Sequence, residues 1–154
     1  MAAIGEIDEA NSAIGIAVPA VTDEAARAML GRIQNELFDL GADLATPEGI
    51  EGALRVVPAQ VDRLEREIDR MNADLEDLRS FILPGGAGGS AQLHLARAIV
   101  RRAERVAVGA KAGFNPLALT YLNRLSDHLF VLARWVAREG GGDILWQPGA
   151  TRDG

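Results

Sequence analysis

Apolar positions recur at steps of three and four in five stretches of the chain, and no stretch alternates apolar and polar residues as a half-buried strand would. The first stretch runs from about Ile4 to Val18. Ile4, Ile7, Ile14 and Ala17 share one face there, and Pro19 ends it. The second opens at Thr22 or Asp23, each a good N-cap. Ala26, Leu30, Ile33, Leu37, Leu40 and Leu44 form its seam, and Thr46-Pro47 stops it. A loop with two glycines follows, and Pro58 suits the first turn of a third helix. That helix has the cleanest stripe, Val61, Leu64, Ile68, Met71, Leu75 and Leu78, with charged residues on its other faces. Pro84 and the glycines around it forbid a helix through 81–90. Ser90 is the expected cap of the fourth helix, with Leu95, Ile99, Ala103, Val106 and Ala110 as its seam. The fifth follows Asn115-Pro116 with Ala118, Leu122, Leu125, Leu129, Leu132 and Val136, and Gly140–Gly142 end it. Seams of this kind with short connections predict an all-α, antiparallel five-helix bundle.

Composition supports this picture. The 154 residues suit one domain, and no internal repeat divides them. Apolar residues make up 48% but aromatics only 5%, so the core is built from Leu, Ile, Val and Ala. The absence of cysteine removes disulfides, thiolate metal sites and a cysteine nucleophile. The net charge of -6 argues against a nucleic-acid-binding surface. No apolar run reaches the roughly 18 residues of a membrane helix. The opening MAAIGEIDEAN does not read as a signal peptide, so the expected location is the cytoplasm and no membrane partner is expected.

The chemistry lies in polar residues on helices whose apolar faces are already accounted for. Arg97, Arg101 and Glu104 fall at i, i+4 and i+7 on the fourth helix, and Arg102 and Arg105 flank them. Guanidinium forks of this density suit phosphate oxygens. The same residues also fit a solvated face tied by ion pairs such as Arg101 with Glu104. Asn123 and Asp127 lie at i and i+4 on the fifth helix, away from its seam. Asn123 fits either plain exposure or a nucleotide contact. Asp8, Asn11 and Ser12 share a face of the first helix, where Gly5 and Gly15 permit close packing. Asp8 reads as a surface acid or as the partner of an arginine on another helix. Phe81, at the start of FILPGG, is a core plug or an apolar wall for a flat ligand. His94 and His128 sit on different helices without an E-x-x-H motif. They read as structural or surface residues, and no protein metal site is expected.

GEIDEANSAIG (5–15), LFDLGADLATP (37–47), SFILPGG (80–86), HLARAIVRRAER (94–105), YLNRLSDHLFVLAR (121–134) and the terminal DILWQPG together resemble the successive signatures of PduO-type ATP:cob(I)alamin adenosyltransferases. The resemblance covers nearly the whole chain. It implies a ferritin-like five-helix bundle over 1–140 with a C-terminal tail over 141–154, assembled as a homotrimer with sites between subunits. It implies transfer of the 5′-deoxyadenosyl group of ATP, accompanied by Mg2+, to the cobalt of cob(I)alamin with release of triphosphate. A reductase and an adenosylcobalamin-dependent enzyme are the protein partners it implies.

Residue by residue, the resemblance assigns Arg101, Arg102, Glu104, Arg105 and Asn123 to ATP, with Arg101 on the triphosphate. It pairs Asp8 with Arg97 across subunits beside the corrinoid. It places Phe81 against the lower face of the corrin, where exclusion of a lower ligand favours a four-coordinate, more easily reduced cobalt. That family opens on a loop of the form T-x-x-G-D-x-G-x-T, which wraps the ATP phosphates. Here Met1 stands only a few residues ahead of the matching block. A weaker hold on ATP is therefore expected, since backbone N–H groups would no longer close over the phosphates. Two other readings stay open at this level: a corrinoid-binding carrier without chemistry, and a structural bundle whose arginines form surface pairs.

Overall fold

In the computed structural model, which describes residues 1–110 and 113–154, the chain forms α1 (Ala2–Ala17), α2 (Glu24–Ala45), α3 (Pro58–Asn72), α4 (Ser90–Gly109) and α5 (Pro116–Ala137). The predicted all-helical bundle is the observed one. α4 lies between α1 and α5. α5 also carries α3 and touches α2, and α2 runs along α1. Among the described residues the one extended pairing is an antiparallel bridge between Ile82 and Leu145.

Local chemistry explains most of the boundaries. The Asp23 carboxylate accepts from Ala26 N–H at 2.7 Å and starts α2. Pro58 occupies the first turn of α3, and the Gln60 side chain accepts from Val57 N–H at 2.9 Å. Asn115 starts α5 by accepting from Leu117 N–H, and also donates to Asp43 and to the Val56 carbonyl. Asp43 thereby anchors the 48–57 loop, since it also takes Arg55 and Val56 N–H.

Three local expectations need correction. The third stripe was expected to reach Leu78, but α3 ends at Asn72, and tight turn bonds such as Asp74 N–H to Met71 C=O replace the helical ladder. Asn72 and Asp74 favour such turns. Leu75 still packs against the core, whereas Leu78 is exposed. Ser90 does not cap α4. Gly89 is the N-cap, with φ of 90°, and a Cβ there would lie 2.7 Å from Val21 Cγ2. Ser90 is the first helical residue, and it is buried. The buried face of α4 is Leu93, Ala96, Val100, Ala103 and Ala107, so the helix is rotated relative to the predicted seam, and Leu95 faces solvent.

A buried ionic network joins α2, α3 and α5. Arg63 grips the Glu36 carboxylate with both terminal nitrogens, and the Tyr121 hydroxyl donates to Glu36 at 2.6 Å. Glu67 lies 2.7 Å from His128 Nε2 and accepts from Arg32 at 2.9 Å. Burial by itself would raise the Glu67 pKa. Hydrogen bonds from His128 and Arg32 and the nearby positive charges outweigh it and hold the group at about 2. Both histidines are buried, as their structural reading allows.

Candidate functional site

Because the buried face of α4 takes Leu93, Ala96, Val100, Ala103 and Ala107, the helix must turn its arginines outward. Arg101, Glu104, Arg105, Val108, Gly109 and Asn123 line an open hollow of about 450 Å³ between α4 and α5. Arg101 and Arg105 are exposed and take part in no ion pair among the described residues. Asn123 Nδ2 donates to Glu104 Oε1 at 3.0 Å. Arg124 closes the α5 side by donating to Asn123 Oδ1 at 2.8 Å and to Asp127 at 2.5 Å. The hollow therefore offers two unengaged guanidinium groups beside a carboxylate and an amide that are already oriented. An anion with several oxygens fits that set.

Arg102 does not line the hollow. Its guanidinium turns to α1, where it pairs with Glu6 at 2.5 Å and with Glu9. The five residues grouped on one ligand by sequence thus separate into four around the hollow and one tying α4 to α1.

One turn before Arg101, a second cluster begins at Arg97. Its Nε is buried without a hydrogen-bond partner among the described residues, and the guanidinium lies over the Phe130 ring, 5.9 Å from the centroid. Burial, then repulsion from Arg101, lowers its pKa. His94 packs edge-on against the same ring at 6.1 Å. Burial and the Arg97 charge lower its pKa, against a smaller opposing effect of Asp143, so it stays neutral at pH 7. Within the chain Arg97 has no carboxylate partner among the described residues. Asp8 lies on α1, exposed in a groove between α1 and α2 that also holds Asn11, Asn35 and Phe38.

Phe81 is not a core plug. It is 77% exposed, and its ring leans on Trp146 with centroids 5.9 Å apart. The tail is also not a loose end there. Leu83 N–H donates to Ile144 C=O and Trp146 N–H to Phe81 C=O, both at 2.8 Å. The sequence reading did not single out Trp146 or Arg134. An arginine inside the apolar run of α5 and an apolar ILW in a polar tail were the available signals. Among the described residues no group of three or more histidine, aspartate or glutamate side chains converges as a metal site.

Comparison with known proteins adds a consistent set of matches. Residues 1–136 match the family described as Cobalamin adenosyltransferase. The chain is 46% identical to the corrinoid adenosyltransferase of Mycobacterium tuberculosis, over 99% of its own length and 82% of that protein's. It is 47% identical to the cobalamin adenosyltransferase of Cupriavidus metallidurans, over 94% of itself and 79% of that protein. Among solved structures it is similar to a variant PduO-type ATP:corrinoid adenosyltransferase from Lactobacillus reuteri, complexed with cobalamin and ATP. The TM-score is 0.86 and the identity 35%, over 95% of this chain and 84% of the other.

Proposed function

The chain belongs to the cobalamin adenosyltransferase family, and on that premise we propose how its residues divide the work of the reaction. The protein is a corrinoid adenosyltransferase: it moves the 5′-deoxyadenosyl group of ATP to the cobalt of cob(I)alamin and releases triphosphate. The cobalt(I) electron pair forms the Co–C5′ bond, and the C5′–O bond breaks with its pair leaving on the triphosphate. Cobalt is the nucleophile, so the protein need not supply one. Its tasks are to align the two substrates and to stabilise negative charge on the leaving group.

Arg101 and Arg105 take the triphosphate. Asn123, held by Glu104 at 3.0 Å, contacts the nucleoside. Magnesium would accompany ATP as part of the substrate and would offset charge on the leaving triphosphate beside Arg101 and Arg105. Arg102 acts through the α1–α4 contact and keeps the rest of the stripe facing outward. On the corrinoid side, Phe81 presents its exposed ring to the lower face of the macrocycle. Asp8 pairs with the partner subunit's Arg97 in a homotrimer, which gives the half-buried Arg97 the carboxylate that its own chain does not provide among the described residues.

One observation carries this reading: two unpaired arginines, Arg101 and Arg105, share a hollow with Asn123 one helical turn from Arg97. ATP titration of turnover tests it. Arg101→Ala is expected to lower kcat/KM for ATP roughly a hundredfold while leaving the helical content intact. Unchanged ATP dependence would remove Arg101 from the nucleotide site.

A further inference from the structure

Phe81 is more exposed than a side chain with a fixed orientation usually is, and the structure supplies what fixes it. The segment 80–83 and the tail segment 144–146 run antiparallel, in strand-like pairing, around the Ile82–Leu145 bridge. Two backbone hydrogen bonds of 2.8 Å close the pair, and the Ser80 hydroxyl adds a third to Trp146 C=O at 2.9 Å. Side chains alternate along such strands, so Phe81, Leu83, Ile144 and Trp146 fall on one face. All four are exposed. A single buried side chain on α5 anchors both strands: Arg134 Nε donates to Asp143 at 2.9 Å, just before the tail strand, and Arg134 Nη2 donates to Glu76 C=O at 2.7 Å, on the approach to Ser80.

We propose that Trp146 is a positioning residue for the adenosyl transfer, holding the Phe81 ring in the one orientation that meets the lower face of the corrinoid, with the tail strand as a strap fastened by Arg134. This rests on the reading of Phe81 given above. An exposed phenylalanine on a loop has several rotamers open to it. The Trp146 indole, 5.9 Å away and inclined by 49°, blocks part of that space and offers an aromatic contact in the rest. The strap thus fixes the Phe81 wall from α5, and small displacements of that wall misalign the two substrates.

The test uses the full chain with ATP and cob(II)alamin, reading the four-coordinate cobalt(II) signature by electron paramagnetic resonance and magnetic circular dichroism. Phe81→Ala should abolish most of that signature. Trp146→Ala should reduce it on the order of tenfold, while ATP binding and the melting temperature stay near those of the parent. Trp146→Phe, which keeps an aromatic ring there, should restore most of it. If Trp146→Ala keeps the full signature while Phe81→Ala loses it, the proposal is overturned and the reading of Phe81 stands. If the phenylalanine variant does not rescue and both Trp146 variants melt early, Trp146 is only structural and the proposal is again overturned. If Phe81→Ala itself keeps the signature, the reading of Phe81 fails and the proposal falls with it.

Discussion

Arg101 and Arg102 are neighbours in sequence with opposite fates. Successive helical residues point about 100° apart, so one faces the hollow and the other faces α1. Arg102 spends its charge on Glu6 and Glu9 in a half-exposed setting, where such pairs contribute little. Arg102→Ala is therefore expected to leave the melting temperature nearly unchanged. It should change KM for ATP far less than Arg101→Ala does. Thermal melts and ATP titrations of the two variants side by side check both statements. The stripe itself was legible because i, i+4 and i+7 spacing is a local property. The identity of the pinned arginine was not, because its partner Glu6 lies 96 residues away in the chain.

At the scale of the helices, the buried ion pairs and the phase of α4 set the stability. Glu67 has a folded pKa of about 2, below its ordinary value of 4.5. Its contribution is therefore complete above the unfolded pKa and is lost as pH falls from about 4.5 towards about 2. Urea melts across that window should show falling stability, and Glu67→Gln should flatten that limb. At neutral pH Glu67→Gln should also destabilise, since it leaves Arg32, Arg63 and His128 around a neutral amide. On α4, Leu93→Ala is expected to cost about 2–5 kcal/mol and Leu95→Ala to stay within about 0.5 kcal/mol. Denaturant midpoints would distinguish this from the predicted seam, in which Leu95 is the buried leucine. The misphasing has a physical cause. The true inner face of α4 is mostly alanine and valine, and the bulky Leu95, Ile99 and Val106 outweigh it in a periodicity count. The seams of α2 and α5 were legible because large leucines occupy nearly all of their buried positions. The Glu36–Arg63–Glu67–His128 network was not, because in sequence its members on α3 look like the rest of a charged face.

Over the whole molecule, α4 is the shared axis. Its outer face runs from Arg97, over the Phe130 ring, to Arg101 and Arg105 at the hollow one and two turns further on. One helix can therefore set the distance between a corrinoid and the ATP carbon it attacks. The proposed trimer makes a separate prediction. Asp8→Arg should weaken the assembly and raise KM for cobalamin, and combining it with Arg97→Asp should recover both, as seen by light scattering and turnover. The most direct measurement is a single-turnover reaction of the full chain with ATP and cob(I)alamin, following the Co–C bond by absorbance and the phosphate products by chromatography. The expected result is adenosylcobalamin and intact triphosphate in equal amounts. Corrinoid binding without adenosylcobalamin, or ADP and phosphate in place of triphosphate, would contradict the account.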